Sequence, residues 1–354
     1  MAKQKYYTLD NILKENCEYN ILLGERSNGK SYAVKHYCIY DYLKTGNMFI
    51  YLRRYTVESK NMMVESYFDD VDVPKITKGK YQYISVYRGG IYFSFVDEKT
   101  GKEVRAEQIG MLMSLSISTH YKSMSLLKYK NLIFEEFISK TLYLDDEPNT
   151  LQQLVSTIAR RERIKVFLIG NTISRLCPYF NEWQLSHIPT QKQGTIDIYN
   201  MRTTQEDDDG NPITIHIAVE LCENSGNNSK MFFGSVSKSI TNGSWEVDEQ
   251  PHIPYKYDEC ENLYSLTIVK YNMLYVCELM KHEEEYFIFV HPSKKIKTTR
   301  IIQEDYSPNM LTTKKLVELT KGDRLMKYLI KLNKICYSDN LTGSEFSTNI
   351  VPYL

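Results

Sequence analysis

Residues 19–31 read Tyr-Asn-Ile-Leu-Leu-Gly-Glu-Arg-Ser-Asn-Gly-Lys-Ser. An apolar run, Tyr19–Leu23, leads into Gly24-x-x-x-x-Gly29-Lys30-Ser31, and a helix-compatible stretch, Ser31–Leu43, follows. This octet has the spacing of a phosphate-binding P-loop, and a strand before it with a helix after it is the context that a P-loop requires. The alternative, a glycine turn before an ordinary helix, does not explain why the spacing and the flanking segments agree. The sequence therefore predicts a nucleotide-binding protein.

The chemistry of a P-loop explains its residue types. Gly24 and Gly29 let the backbone curl so that successive N–H groups point at phosphates, and the positive end of the following helix faces them too. Lys30 is expected to reach the β- and γ-phosphates, and the Ser31 hydroxyl to hold Mg²⁺. The predicted cofactors are therefore ATP and Mg²⁺. The residues expected to contact the nucleotide here are Gly24, Ser27, Asn28, Gly29, Lys30 and Ser31.

Composition limits the remaining possibilities. A chain of 354 residues is too long for one average domain, so two units of roughly 100–200 residues are expected. Its 44 basic residues balance 44 acidic ones, so any contact with DNA or RNA must come from local patches. Seven scattered cysteines without a C-x-x-C pair indicate neither a zinc site nor a redox pair, and favour free thiols in a reducing cytoplasm. The chain also has no apolar run of membrane-spanning length, so we expect a soluble intracellular protein with no membrane contact.

Short apolar runs alternate with helix-like stretches over the first 200 or so residues, which is typical of a parallel α/β sheet. A segment at Tyr81–Phe95 alternates apolar and polar residues around Arg88-Gly89-Gly90 and predicts a β-hairpin. The predicted strands are Tyr19–Leu23, Asn47–Leu52, Asn131–Phe134 and Lys165–Ile169, and the predicted helices are Ser31–Leu43, Val57–Phe68 and Thr150–Arg163.

The pattern changes near residue 259. Leu263–Leu279 and Glu285–Val290 are predicted as adjacent strands, a basic run Lys294–Arg300 follows, and Thr313–Cys336 is predicted as an amphipathic helix. This segment is interpreted as a second, α+β domain. The predicted domains are an ATPase domain (1–203), a β-rich connector (204–258) and a C-terminal domain (259–354).

Two carboxylates at a strand end supply the expected hydrolysis chemistry. The run Asn131–Phe134 ends in Glu135 and Glu136. A carboxylate at such a strand end can organise Mg²⁺, and the next one can orient and deprotonate the attacking water. We assign Glu135 to the metal and Glu136 to catalysis, although most P-loop proteins place Asp first. The alternative is two solvated acids at a strand end.

Cations and an amide follow along the chain. Arg160 and Arg161 close a helix-like stretch, where an arginine can reach the γ-phosphate of a neighbouring subunit. A solvated basic helix end is the alternative for each of them. Asn171, at the tip of the next strand, is a candidate γ-phosphate sensor, with a helix-capping role as the alternative.

Five blocks follow one another along the chain: Gly24–Tyr32, Phe49–Tyr55, Ile133–Phe137, Arg161–Arg163 and Asn171 with Pro178-Tyr179-Phe180. In this order they closely resemble the DNA packaging ATPases, or encapsidation proteins, of small salasvirus-type podophages with protein-primed linear genomes. The resemblance is dense over residues 19–180, loosens from about 185 to 255 and returns weakly over 260–350.

The resemblance implies a homopentameric ring motor of the ASCE class of P-loop NTPases, which docks on the portal of a procapsid and pumps duplex DNA. It implies that Arg26 is a second cationic phosphate contact and that Arg53 and Arg54 belong to a lid over the nucleotide. It also implies that Lys122 acts across the subunit interface. The family pattern is Arg-x-Arg where this sequence has Ala159-Arg160-Arg161. The arginine finger, which is the arginine that reaches the γ-phosphate of a neighbouring subunit, is therefore either Arg160 or Arg161.

The resemblance further implies that the C-terminal domain is an RNase H-like, vestigial nuclease. A two-metal nuclease needs clustered carboxylates, and the candidate first strand, Leu263–Lys270, carries none. We therefore predict no DNA cleavage. The basic run Lys294–Arg300 is a candidate contact for DNA, RNA or the portal, with a solvated edge strand as the alternative.

The predicted function is ATP-driven packaging of double-stranded DNA into a procapsid, in the cytoplasm of the infected bacterial host at the portal vertex. The expected partners are DNA, identical subunits in a ring, the portal or connector, and a scaffolding RNA. One alternative is a terminase-like large subunit with an active nuclease. Another is a nucleotide-gated structural or RNA-binding protein at the portal, against which Glu136 argues, and a small-molecule kinase is the least favoured.

Overall fold

The protein's structure, a computed structural model, divides into two compact units. The first comprises Met1–Ile138, Tyr143–Asn171 and Leu185–Asn228, and the second comprises Ser139–Leu142, Thr172–Gln184 and Ser229–Leu354. The structure describes residues 6–25, 27–58, 61–139, 143–160, 162–172, 176–206, 210, 212–223, 249–271, 273–303 and 311–354.

Nine strands among the described residues form the sheet of the first unit, in the order β3-β4-β5-β2-β6-β7-β1-β9-β8. The strands are β1 (Tyr19–Gly24), β2 (Met48–Arg53), β3 (Tyr83–Tyr87), β4 (Gly90–Val96), β5 (Glu103–Ser114), β6 (Tyr129–Glu135), β7 (Lys165–Asn171), β8 (Thr195–Glu206) and β9 (Pro212–Leu221). The helices of this unit include α1 (Asp10–Lys14), α2 (Lys30–Thr45), α3 (Asn61–Tyr67), α4 (Val73–Ile76) and α5 (Glu147–Ala159).

The middle of this sheet is parallel. Strands β5, β2, β6, β7, β1 and β9 run in one direction, and the antiparallel partners β3, β4 and β8 lie towards the edges. All six residues of β1 are buried, as expected for a parallel strand that is covered on both faces. Strand β7 lies between β1 and β6, so the P-loop strand and the carboxylate strand are not direct neighbours. This arrangement confirms the predicted ASCE-type P-loop fold.

Local signals set the ends of the main helix. Gly29 precedes α2 with φ of 96°, and Gly46 follows it with φ of 80° and donates its N–H to the Tyr42 carbonyl. Both glycines therefore adopt left-handed conformations that side chains disfavour. The observed helix extends one residue further at its start and two at its end than the predicted Ser31–Leu43. The predicted hairpin at Tyr81–Phe95 is confirmed by the antiparallel pair β3–β4.

A six-stranded sheet occupies the second unit, in the order β14-β13-β10-β11-β12-β15 within the described residues. Strands β10, β11 and β12 are antiparallel, whereas β13 runs parallel to β10 and β14 to β13. The predicted second, α+β domain is therefore present, with three antiparallel strands followed by parallel ones. The elements are α6 (Pro178–Glu182), β10 (Glu261–Lys270), β11 (Met273–His282), β12 (Glu285–Ser293), β13 (Arg300–Ile302), β14 (Leu311–Thr313), α7 (Lys321–Lys331), β15 (Ile335–Tyr337) and α8 (Asn340–Asn349).

Two element predictions in this unit are wrong. Leu263–Leu279 is not one strand, because the chain turns at Tyr271, with φ of 47°, and pairs β10 with β11. The predicted helix Thr313–Cys336 is only α7. A capping box of Thr320 with Asp323 starts this helix late, and Asn333, with φ of 53°, follows its early end.

The predicted connector, 204–258, contains residues of both units. Strand β9 pairs with β1 in the first sheet, and residues 224–248 lie outside the described part of the chain. The described helices include none that is both long and apolar enough to cross a membrane.

Candidate nucleotide site

The P-loop lies between the end of β1 and the start of α2. Lys30 is buried, and its Nζ donates to the Glu25 carbonyl at 2.6 Å and to Asn28 Oδ1 at 3.1 Å. A side chain at Gly24 would meet Asn28 Nδ2 at 3.0 Å and Cys222 Cβ at 3.3 Å, so only glycine leaves room for this packing. The loop is therefore folded around the lysine ammonium.

One unused hydrogen-bond donor and one buried ammonium in the loop fit a phosphate. Asn28 is buried, and its Nδ2 has no hydrogen-bond partner among the described residues. Burial also lowers the pKa of Lys30, which reflects the cost of keeping an ammonium away from water. Phosphate oxygens would accept from both groups. Arg26, the other predicted cation of this loop, lies outside the described residues.

Ser31 and Glu135 form the candidate metal site. Glu135 is buried at the end of β6, and Tyr67 donates its hydroxyl to Glu135 Oε1 at 2.8 Å. Burial raises the pKa of Glu135, although the nearby Ser31 side chain and the hydrogen bond from Tyr67 oppose this shift. A hydroxyl and a carboxylate are oxygen ligands of the type that Mg²⁺ prefers. The residues present therefore fit the predicted metal.

Glu136 is exposed to solvent, whereas Glu135 is buried. It follows β6 with φ of 55°, and its side chain is 65% exposed. Arg53, the last residue of β2, donates from Nη2 to Glu136 Oε2 at 2.9 Å, while its Nε lies 3.5 Å from Glu58 Oε2. The structure thus places the predicted catalytic carboxylate at the carboxyl end of the sheet, in an ion pair with a predicted lid residue.

Arg54 lies inside the protein. Its guanidinium forms two hydrogen bonds with Glu147, Nε–Oε2 at 2.8 Å and Nη2–Oε1 at 3.0 Å. It also donates to the carbonyls of Phe137 at 2.6 Å and Glu136 at 3.2 Å. The prediction assigned Arg54 to the nucleotide, but here its donors hold the backbone after β6 and the first turn of α5. A buried two-point contact of this kind fixes the loop that carries Glu136.

Asn171 ends β7, and in the sheet register it stands beside Gly24 of the P-loop. The preceding residue, Gly170, leaves room for the loop after β6, because a Cβ there would lie 2.8 Å from the Phe137 ring. The strand order therefore puts Asn171 between the P-loop and Glu136. This is the position that a γ-phosphate sensor would need.

Two of the remaining predicted cations, Arg160 and Lys122, lie on the surface. Arg160 directly follows α5 with φ of 52° and is exposed, with a long 3.5 Å hydrogen bond from Nη2 to the Met124 carbonyl. Lys122 is exposed beside the polar face of α5 and lines a shallow groove with it. Arg161 lies outside the described residues. The other lining residues of the groove are Asp146, Asn149, Gln152, Gln153, Ser156 and Thr157.

Three residues at the site were not predicted from the sequence. Tyr67 contacts Glu135, Glu147 binds Arg54, and the backbone N–H of Tyr7 donates to the Asn28 carbonyl at 3.1 Å. None of them lies in a motif, and each contact joins residues distant in the chain. Sequence spacing carried no signal for them.

Comparisons with known proteins agree with this geometry. The family described as Podovirus DNA encapsidation protein (Gp16) matches residues 1–203. The chain is similar to the DNA packaging protein of Bacillus phage phi29, with 30% identity over 189 residues, 51% of this chain and 50% of that protein. It is also 27% identical over 278 residues to the DNA packaging protein of Bacillus phage B103, covering 70% of this chain and 81% of that one.

One solved structure, titled as the bacteriophage phi29 viral genome packaging motor assembly, shares the fold with a TM-score of 0.54. It has 21% sequence identity, and the match covers 95% of each chain. The sequence match to the phi29 protein spans about half of that protein's length. The family match, by contrast, extends over more than half of this chain. The chain therefore belongs to the Podovirus DNA encapsidation protein (Gp16) family.

Proposed function

We propose that this protein is an ATP-driven motor that translocates double-stranded DNA into a viral procapsid. One observation carries the proposal: a P-loop lysine, a buried carboxylate beside the P-loop serine, and an exposed carboxylate lie at the carboxyl end of the parallel strands of one sheet. These are the groups that P-loop enzymes use to hydrolyse a nucleoside triphosphate. The packaging role rests on the family and on the names of its relatives.

ATP binding would rearrange the hydrogen bonds of the P-loop. Lys30 would exchange the Glu25 carbonyl and Asn28 Oδ1 for phosphate oxygens, with the unused Asn28 amide donor beside it. Ser31 and Glu135 would hold Mg²⁺, which supplies positive charge to the β- and γ-phosphate oxygens. The Arg26 side chain would add a second cation to the same oxygens.

Hydrolysis would depend on Glu136. Its carboxylate would accept the proton of the water that attacks the γ-phosphate. Because Arg53 donates to this carboxylate, that ion pair must loosen before the glutamate can act as a base. Arg54, held by Glu147 and by the carbonyls after β6, would keep the loop in position. Asn171 would sense the γ-phosphate through its amide.

A neighbouring subunit would complete the site. Arg160 and Lys122 are exposed in this chain, which suits side chains that act on the γ-phosphate of the next subunit, and Arg161 is the alternative finger. We infer a ring of identical subunits, a pentamer by the family resemblance, on the portal of the procapsid. A scaffolding RNA is a further proposed partner, and the site of action would be the host cytoplasm at the portal vertex.

Cleavage of DNA is not part of the proposal. Among the described residues of the second unit, the buried carboxylates have protein partners: Asp323 accepts from Tyr264 and Arg300, Glu345 accepts from Tyr275, and Glu278 accepts from Asn262 and Tyr257. A two-metal nuclease would need carboxylates available to its ions. Incubation of the protein with supercoiled plasmid and Mg²⁺ or Mn²⁺ should leave the plasmid intact. Nicking would favour the terminase-like alternative.

The DNA contacts should be mainly to phosphates, because a packaging motor must accept any sequence. Within the candidate basic run, Lys294, Lys295 and Lys297 are exposed. Arg300 is not available for this purpose, since it is buried in β13 and paired with Asp323. The proposed contact is therefore reduced to the three lysines of the loop between β12 and β13.

The test is steady-state ATP hydrolysis with and without long duplex DNA, for the wild-type protein and for Glu136→Gln. We expect turnover that DNA stimulates and that falls at least about a hundredfold in the variant, because a missing general base costs about 10²–10⁴ in rate. ATP binding should persist in Glu136→Gln and disappear in Lys30→Ala. Near wild-type turnover by Glu136→Gln would contradict the assignment of this glutamate as the general base. ATP binding by the wild-type protein without turnover under any condition would favour the alternative of a nucleotide-gated structural protein.

A further inference from the structure

Among the described residues, Tyr67 donates a side-chain hydrogen bond to the buried carboxylate of Glu135. Its hydroxyl donates to Glu135 Oε1 at 2.8 Å and lies 3.4 Å from the Ser31 carbonyl oxygen. It therefore contacts both residues of the proposed metal site. Tyr67 ends α3, so it comes from a part of the chain that no nucleotide-binding motif covers.

The ring of Tyr67 is fixed on several sides. Tyr51 packs against it with ring centroids 4.5 Å apart, and Phe68 meets it edge-on at 5.0 Å. The Lys35 ammonium lies 4.4 Å from the ring centroid, donates to the Tyr67 carbonyl and pairs with Asp70. A ring held in this way cannot swing freely, so its hydroxyl is a fixed donor.

Glu135 needs such a donor more than an aspartate would. P-loop NTPases usually hold the metal with Asp at this position, and Glu has one more rotatable bond to restrain. Fixing a flexible side chain costs conformational entropy unless contacts already hold it in place. A hydrogen bond to a carboxylate is charge-assisted and stronger than a neutral one. A rigid tyrosine that donates to one carboxylate oxygen therefore removes the freedom that the extra methylene introduces.

We propose that Tyr67 is a positioning residue for the metal: its hydroxyl fixes the Glu135 carboxylate in the orientation that coordinates Mg²⁺. This inference rests on the proposed function, in which Glu135 is a metal ligand. In this proposal Tyr67 acts through Glu135 and not as a ligand of the nucleotide or the metal. A tyrosine that only filled space would act through its ring, whereas a positioning role requires the hydroxyl, and the two roles are separated by removing the hydroxyl alone.

The experiment compares ADP binding with Mg²⁺ and without it by isothermal titration calorimetry, and Mn²⁺ binding to the ADP complex by electron paramagnetic resonance. Tyr67→Phe keeps the ring. We expect it to weaken metal binding by about tenfold, because a hydrogen bond to a charged group contributes about that factor, and to leave metal-free ADP binding unchanged. The matched control is Tyr37→Phe, a partly buried tyrosine of the same unit that packs against Phe167 instead. It should leave both affinities as they are.

A double-mutant cycle tests the route of the effect. Glu135→Asp shortens the side chain and withdraws its carboxylate from the Tyr67 hydroxyl, so adding Tyr67→Phe to that variant should cost no further metal affinity. An equal loss in both backgrounds would overturn the inference, as would wild-type metal affinity in Tyr67→Phe.

The inference and the proposed function fail in different ways. If the wild-type protein bound ADP equally well with and without Mg²⁺, and its ADP complex bound no Mn²⁺, the proposed metal site would be wrong, and the role of Tyr67 with it. If the wild-type protein bound metal with the nucleotide and Tyr67→Phe did the same, only the role of Tyr67 would be wrong.

Discussion

Arg53 and Arg54 are neighbours in the chain, but they form ion pairs with different carboxylates in different environments. The Arg53 guanidinium pairs with the exposed carboxylate of Glu136, whereas Arg54 is 4% exposed and pairs with Glu147, which is 1% exposed. Successive residues at the end of a strand point in opposite directions, so one arginine meets the site and the next enters the interior. The sequence predicted a role for both arginines, but it did not separate a solvent-accessible ion pair from a buried one.

The buried pair should dominate stability. In Arg54→Met the Glu147 carboxylate would remain buried without its cationic partner. We expect this to lower the free energy of unfolding by about 3–5 kcal/mol. Urea unfolding monitored by circular dichroism measures this change. Arg53→Met is the matched control and should cost about 1 kcal/mol or less, because its ion pair is open to water. Equal losses in both variants would contradict this assignment.

At the scale of elements, the sequence was informative where a signal is local. The P-loop follows from spacing within one octet, and the buried strands follow from short apolar runs, so β1, β2, β6 and β7 were all predicted within a few residues. Contacts between distant elements were not predictable. Tyr67 and Glu135 are 68 positions apart, and Arg54 and Glu147 are 93 apart, so no periodicity joins them.

Local signals also explain the wrong helix. The predicted amphipathic helix Thr313–Cys336 includes Leu319, Tyr328 and Leu332, and all three are exposed. The first lies before α7 and the last just after it, because the capping box at Thr320 sets the start of the helix. Apolar periodicity counted across a helix boundary therefore joined residues that share no face.

Close packing between β7 and the loop after β6 makes Gly170 important for turnover. An alanine there would press on the Phe137 ring at 2.8 Å and on Ile138 at 3.0 Å. The displaced loop carries Glu136, so we expect Gly170→Ala to lower steady-state ATP turnover by about 10–100-fold, since small misplacements of catalytic groups are costly. Nucleotide binding should persist, because the P-loop is unchanged.

Gly110→Ala is the control for that substitution. It lies on β5 of the same sheet, and its added methyl would meet the Phe49 carbonyl at a similar 2.8 Å. Both variants should lose about 1–3 kcal/mol of stability from overpacking, measured by thermal unfolding. Turnover should fall steeply only in Gly170→Ala, and an equal fall in both would mean that general destabilisation, not the loop, is responsible.

Strands β11 and β12 carry a pH-dependent pair. His291 Nε2 lies 3.7 Å from Glu278 Oε2. The nearby Glu278 carboxylate raises the pKa of His291, although burial opposes this shift. For Glu278, burial raises the pKa, but the nearby His291 and the hydrogen bond from Tyr257 outweigh it, so the pKa is lowered. Both charged forms are therefore favoured by folding.

This pair predicts how stability changes with pH. A raised histidine pKa contributes stability that is complete below the unfolded value of about 6.5 and is lost as pH rises through the folded value. The lowered glutamate pKa contributes above about pH 4.5 and is lost in acid. Urea unfolding of the second unit should therefore show a loss of about 1 kcal/mol or less between pH 6 and pH 8, which His291→Gln should abolish. A slope that survived in the variant would assign it to other groups.

At the scale of the whole molecule, the two compact units do not follow the chain in simple succession. The segment Thr172–Gln184 leaves the first unit after β7, belongs to the second, and is followed by a return to the first at Leu185. Its Leu176 is fully buried in the apolar core of the second unit, with Leu266, Leu329 and Phe346. A chain read from start to end cannot reveal such an excursion, because composition and periodicity describe neighbours in sequence only.

Because Leu176 lies in the core of the second unit, we expect it to stabilise that unit and not the first. Leu176→Ala would leave a cavity in the second core and should lower its stability by about 2–5 kcal/mol. Amide hydrogen exchange measures this in the full chain, as lost protection in β11 and β12 with β1 and β7 unchanged. Leu22→Ala, in the core of the first unit, should give the reverse pattern.

A fragment of residues 249–354 lacks Leu176. The amides of β11 and β12 in this fragment should be less protected from exchange than the same amides in the full chain. Lost protection in β1 on Leu176→Ala would show instead that this leucine supports the first unit.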